Sequence, residues 1–158
     1  MLKKVLIISY FFPPCNLTAS QRAFGWSKYL KKYGYKPIVV TRSWDNNIKF
    51  PEDVLTKSGA ELRYEKTEDF EVYQLPYRPG IRDKIFTQFS GNPLQNLSKP
   101  LTIINEFISQ YSTVCIPHRN MFVKAEQIIK EQGITKMIIS GNPFDQFFLD
   151  IFLTSVLE

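Results

Sequence analysis

The sequence predicts an α/β protein with a Rossmann-like three-layer fold and a mainly parallel sheet. Three runs rich in β-branched and other apolar residues, Val5–Tyr10, Pro37–Thr41 and Lys136–Ser140, are typical of strands buried on both faces. The first two enclose a helical pattern from Thr18 to Tyr33. Strand, helix and strand within about 40 residues form a βαβ unit, which requires parallel strands and a right-handed crossover.

Length and composition indicate a single domain spanning residues 1–158. A chain of 158 residues with 44% hydrophobic side chains can bury a core without disulfides or metals. The 15% of aromatic residues excludes a disordered protein. Cys15 and Cys115 form no CxxC pair, so a cytoplasmic location is expected. The apolar run after Lys4 lacks a small-residue cleavage site, which favours a strand over a secretory signal.

The first predicted helix, from Thr18 to Tyr33, has recognisable ends. Thr18 or Ser20 can cap its start, and Gly34 can end it. Its buried face is expected to consist of residues at helical spacing, namely Ala19, Ala23, Trp26, Leu30 and Tyr33.

The rest of the chain is less regular. Polar residues from Arg42 to Asp69 predict a loop with some short elements, and alternation predicts a strand at Phe70–Leu75. Loops and a short helix are expected over Tyr77–Asn96. Further helices are expected from Ser98 and over Asn120–Gln132.

A last helix is expected from about Phe144. From Phe147 to Leu157 it is apolar all round, with Asp150 as the one charge in that stretch, so it needs cover on every side. We therefore expect the chain to be a fragment of a longer protein and to self-associate through this helix.

Polar loops follow the first and last predicted strands, where open α/β sheets bind their ligands. If these strands are neighbours, both loops converge on one crevice, and helix N-termini there favour anions. The candidate acceptor- or anion-binding residues are Pro14, Asn16, Thr18, Ser20, Arg22, Asn142, Pro143 and Phe144. Alternatively, the polar residues among them merely cap helices and turns.

Two segments resemble the N-terminal domain of family-four-like glycosyltransferases of the GT-B fold. The opening "KKVLIISYFFPP", followed by an arginine, a long helix and "VVT", is similar to theirs, and so is "MIISGNPFD". The resemblance covers nearly the whole chain apart from a divergent middle. It implies the acceptor-side half of a bacterial-type enzyme that moves a sugar from a nucleotide sugar to a carbohydrate or lipid-linked acceptor in polysaccharide assembly.

The same resemblance places most of the nucleotide-sugar site on a C-terminal domain that this sequence does not include. The sequence therefore predicts no cofactor in this chain and identifies no catalytic base. As a fragment of a glycosyltransferase, the isolated chain is expected to be inactive. The candidate residues would position the acceptor and stabilise charge. The alternative is a non-catalytic Rossmann-like module that binds a small anion or a protein partner.

Other chemistry is weakly indicated. His118, the single histidine, and Arg119 are candidate acceptor contacts, with a surface or capping role as the alternative for His118. One histidine makes no metal site. The absence of a Walker sequence and of GxGxxG argues against a nucleoside triphosphatase and a dinucleotide oxidoreductase. No nucleic-acid signature is present. The basic stretch formed by Lys28, Lys31, Lys32 and Lys36 is either a solvated helix face or a contact with the inner membrane surface.

Overall fold

A five-stranded sheet forms the centre of the protein in a computed structural model that describes residues 2–44, 48, 51–89, 93, 96, 98–111 and 119–140. Its strands are β1 (Lys3–Ser9), β2 (Tyr35–Arg42), β3 (Arg63–Lys66), β4 (Glu71–Leu75) and β5 (Met137–Ser140). They lie in the order β3-β4-β2-β1-β5, and every pairing is parallel except that of β3 with β4. The predicted α/β class and mainly parallel sheet are confirmed.

Four helices connect the strands within the described part of the chain. They are α1 (Thr18–Tyr29), α2 (Ile81–Gln88), α3 (Ser98–Tyr111) and α4 (Arg119–Gln132). Single 3₁₀ turns cover Leu30–Tyr33 and Pro51–Leu55. All four helices were expected from the sequence, whereas the last predicted helix, from Phe144, lies outside the described residues.

The two faces of the sheet carry separate apolar cores. Alternation along β1 sends Leu6 and Ile8 to the face covered by α4, where they pack with Phe122 and Ile129. Ile7 points to the opposite face and packs with Ala23 of α1. Helices therefore cover both faces, which is the three-layer arrangement of a Rossmann-like fold.

The buried face of α1 differs from the predicted one. Ser20, Ala23 and Ser27 are buried, whereas Ala19 is exposed and Tyr33 is 75% exposed. The hydroxyls of both buried serines donate to carbonyls of their own helix, so they need no water and allow the helix to lie close to the sheet. The predicted end of the helix is confirmed, because Gly34 follows the 3₁₀ turn with a φ of +82°.

Candidate functional site

The carboxyl ends of β1 and β5 lie side by side at one edge of the sheet. Ser9 and Ser140, the last residues of these strands, are partners in the parallel register. The chain leaves β1 toward α1 on one face and enters β5 from α4 on the other face. The connections on the two sides of the β1–β5 boundary therefore use helices on opposite faces of the sheet. Such a boundary is a topological switch point, where open α/β sheets bind ligands.

The loop after β1 is fixed to both faces of the sheet. Phe11 stacks on Trp44 with ring centroids 5.2 Å apart. Phe12, its neighbour, is buried on the α1 face between Phe24 and Phe70, at 5.9 and 5.8 Å. The loop also contains a cis peptide between Pro13 and Pro14. The ring contacts of Phe11 and Phe12 hold the loop backbone in place at the switch point.

The structure gives the predicted residues of this loop different environments. Pro14, Thr18 and Arg22 are exposed at the surface. Asn16 is exposed too, but its Nδ2 donates to the carbonyl of Ile48 at 3.1 Å. Ser20 is fully buried and its hydroxyl donates to the Leu17 carbonyl at 2.8 Å, so Ser20 is not available to a ligand.

The prediction that Thr18 or Ser20 caps α1 is wrong. The N-cap residue is Leu17, and no side chain makes the capping hydrogen bond. Thr18 is instead the first helical residue, and the Ser20 amide donates to the Leu17 carbonyl. A capping role therefore does not account for the polar residues Thr18 and Ser20.

Arg22 is an exposed residue near the start of α1, shortly after the loop that follows β1. It precedes Trp26 and Leu30 by four and eight residues, and residues so spaced share one side of a helix. Trp26 and Leu30, like Ile138 of β5, pack against the core on the α1 face of the sheet. Among the described residues, Arg22 has no ion-pair partner.

The other predicted site residues are only partly described. His118, Asn142, Pro143 and Phe144 lie outside the described residues. Arg119 is exposed at the start of α4. The Nδ2 of the next residue, Asn120, donates to the carbonyl of Pro76 at 2.6 Å. Arg119 is therefore at the same edge of the sheet but near the end of β4, which is separated from β1 by β2.

A buried cationic cluster at this edge was missed by the sequence analysis. The Arg42 side chain, at the end of β2, is 1% exposed and lies over the rings of Tyr10, Trp44 and Tyr77. Five hydrogen bonds use the five N–H groups of its guanidinium. The acceptors are the Tyr10 and Ser58 hydroxyls and the carbonyls of Ser43, Val54 and Thr56.

These hydrogen bonds indicate that the cluster stabilises the fold and does not bind a ligand. With every donor of Arg42 occupied, the guanidinium cannot also bind a ligand anion. One feature of the sequence could have revealed this cluster. An aromatic residue stands one or two positions after the end of β1, β2 and β4, namely Tyr10, Trp44 and Tyr77.

Tyr10, Cys15 and Tyr77, which lie behind this edge, remain protonated at neutral pH. Burial raises the pKa of Tyr10, although the adjacent Arg42 opposes the shift. Burial, followed by the charges of Tyr10 and Asp83, raises the pKa of Tyr77 well above its usual range. Burial also raises the pKa of the Cys15 thiol. These three groups are therefore unsuited to act as a general base or a thiolate nucleophile.

The described part of the chain contains no group of three or more His, Cys, Asp or Glu side chains placed to hold a metal ion. None of its helices combines the length and apolar character needed to cross a membrane.

The basic stretch near α1 is partly neutralised. Lys31 forms ion pairs with Glu68 and Asp69 at 3.2 and 3.1 Å. Lys36 pairs with Glu71. Lys28 and Lys32 lie over aromatic rings of their own helical segment, 4.5 and 5.2 Å from the ring centroids. The positive charge that this face presents is therefore weaker than the sequence suggests.

Comparisons of the chain with protein-family models, with curated proteins and with solved structures gave no match.

Proposed function

We propose that this chain is the acceptor-binding half of a glycosyltransferase of GT-B architecture. It would hold a carbohydrate or lipid-linked acceptor while a sugar is transferred from a nucleotide sugar bound mainly by a C-terminal domain of a longer, cytoplasmic protein. The observation that carries the proposal is the switch point between β1 and β5, where Ser9 and Ser140 are partners. The resemblance of the two segments that end at this edge supports the same assignment.

Acceptor binding is the role that suits the residues at this edge. Phe11 and Phe12 anchor the loop after β1 to the two cores, while Pro14 of this loop and Thr18 at the start of α1 are exposed. Arg22 adds a positive charge near the start of α1, beside this loop in the chain, and no described carboxylate pairs with it. A guanidinium in this place would hold an anionic acceptor or stabilise phosphate charge that develops during transfer.

Arg22→Ala in the complete natural protein tests this role. We expect the rate of sugar transfer to fall by tens-fold or more, on the order of 2–4 kcal/mol, as for other electrostatic donors. The melting temperature should hardly change, because Arg22 is exposed. Arg63→Ala is the matched control, since Arg63 is an exposed arginine on β3 at the far edge of the sheet. Equal rates of sugar transfer by Arg22→Ala and Arg63→Ala would show that Arg22 has no role in the reaction.

Binding experiments on the chain by itself test the division of labour. We expect calorimetric titration with a panel of nucleotide sugars to give no micromolar dissociation constant, about −8 kcal/mol, because half a cleft cannot position the donor. Tight binding of a nucleotide sugar would contradict the assignment of this domain to the acceptor.

The alternative function is a non-catalytic module that binds a small anion or a protein partner. It is favoured by the protonated state of Tyr10, Cys15 and Tyr77, none of which offers a base at the described edge. An assay of sugar transfer by the complete natural protein separates the two functions. Transfer that depends on Arg22 supports the enzyme, and absence of transfer with every donor and acceptor tested supports the module.

A further inference from the structure

A pocket lies at the opposite end of the sheet from the switch point. It has a volume of about 410 Å³ and is located where β1 and β5 begin, on the face covered by α1. Val5, Leu30 and Ile138 form its apolar part. This volume is within the range of about 300–1,000 Å³ that is usual for small-molecule sites.

The polar rim of this pocket is positively charged. Tyr35, Thr135 and Lys136 contribute to the rim, and the Lys136 ammonium donates to the Tyr35 hydroxyl at 2.9 Å. That hydrogen bond and the positive charge of Lys136 lower the pKa of Tyr35, and the charge of Lys3 acts in the same direction. Within the described residues, neither Lys3 nor Lys136 has an acidic partner.

We propose that this amino-end pocket binds a small organic carboxylate with an apolar body. The apolar body would lie on Val5, Leu30 and Ile138, and the carboxylate would accept hydrogen bonds from Lys136 and the Tyr35 hydroxyl. The rim cation Lys136, which has no carboxylate partner among the described residues, favours an anion over a neutral ligand. The pocket is at the other end of the strands from Ser9 and Ser140, so this binding is independent of the proposed sugar transfer.

Three probes separate the contributions of charge and apolar surface. 4-Phenylbutyrate carries both features, 4-phenylbutanol has only the apolar body, and acetate has only the charge. We expect NMR titration of the chain to show saturable binding of 4-phenylbutyrate, with shifts at Val5, Leu30 and Ile138. Each of the other probes should bind about tenfold more weakly or worse, because a charge-assisted hydrogen bond or the apolar contact is lost.

Two variants and one control tie the binding to this pocket. Lys136→Gln should bring the affinity for 4-phenylbutyrate down to that for 4-phenylbutanol. Thr135→Trp should fill the pocket from an exposed position and abolish binding of both probes. Lys84→Gln, which removes an exposed charge from α2, should leave binding unchanged.

The proposal is overturned if 4-phenylbutanol binds the unaltered chain as tightly as 4-phenylbutyrate, or if acetate does. It is also overturned if no probe saturates, or if Thr135→Trp has no effect on binding. None of these readouts involves sugar transfer, so a failure here is distinguishable from a failure of the proposed function.

Discussion

The guanidinium of Arg42 lies 3.9 Å from the centroid of the Trp44 ring. The ring of Tyr77 approaches the same guanidinium to 3.8 Å, so a buried cation contacts the faces of two aromatic side chains. Desolvated contacts of this kind contribute on the order of 2 kcal/mol. Because the Val54 and Thr56 carbonyls also accept hydrogen bonds from Arg42, the cluster ties the segment after β2 to the edge of the sheet.

Arg42→Lys should strongly destabilise the protein, even though the charge is retained. An ammonium has three donors and no planar fork, so several of the five hydrogen bonds are lost in a buried place. We expect a loss of about 3 kcal/mol or more in the free energy of unfolding, measured by urea denaturation. Arg63→Lys, at an exposed position of β3, should stay within about 0.5 kcal/mol. Similar losses in both variants would contradict a structural role for the cluster.

Gly59→Ala and Gly34→Ala should differ, although both glycines have positive φ angles of +68° and +82°. A Cβ at Gly34 would meet nothing within 4 Å, so we expect about 1 kcal/mol of backbone strain. A Cβ at Gly59 would lie 2.6 Å from the Cβ of Ser43, which adds about 1–3 kcal/mol of overpacking. Thermal unfolding of the two variants checks this order. A lower melting temperature for Gly34→Ala would show that the contact with Ser43 relaxes at no cost.

Glu71 should make the stability depend on pH in acid. Burial by itself would raise the pKa of this carboxyl, but hydrogen bonds from Lys36 and Tyr64, together with the charges of Lys36 and Lys66, hold it below its usual value. A depressed folded-state pKa means that the unfolded chain binds the proton more tightly. The contribution of Glu71 is therefore present above the unfolded-state pKa of about 4.3 and is lost as pH falls through the folded-state pKa.

Glu71→Gln measures this contribution. We expect the variant to lose on the order of 1–2 kcal/mol of unfolding free energy at pH 7, with the difference from the unaltered protein shrinking as the pH falls below about 4. Glu126→Gln is the control, because Glu126 pairs with Lys130 at an exposed site where such pairs contribute at most about 0.5 kcal/mol. A difference at Glu71 that stays constant with pH would contradict an ionic origin.

The sequence predicted most of the sheet because its buried strands carry an unbroken apolar signal. Val5–Tyr10 and Pro37–Thr41 correspond closely to β1 and β2, whose central residues are buried on both faces. In contrast, all four residues of β3, Arg63–Lys66, are exposed, so its composition resembles that of a loop. An edge strand is held by its hydrogen bonds to β4 and needs no apolar face to form.

The candidate site was predictable only in its location. Two strand ends followed by polar loops indicated the switch point, and the pairing of Ser9 with Ser140 confirms that these ends are neighbours. The burial and the hydrogen-bond partners of each side chain could not be predicted from the spacing of residues in the sequence. Ser20 is buried and bonded within its helix, and the Asn16 side chain is bonded to Ile48, because tertiary contacts outside the motif decide which polar groups remain free.

The neighbouring residues Phe11 and Phe12 have a consequence for the thermodynamics of recognition. One packs with the core on the α4 face and the other is buried in the core on the α1 face, so the loop cannot swing outward without disturbing both cores. Because this loop is already ordered, binding of a ligand there costs little conformational entropy of the protein chain. Recognition at the end of β1 should accordingly be lock-and-key in character, with calorimetric signatures of a rigid surface and no heat-capacity change from loop folding.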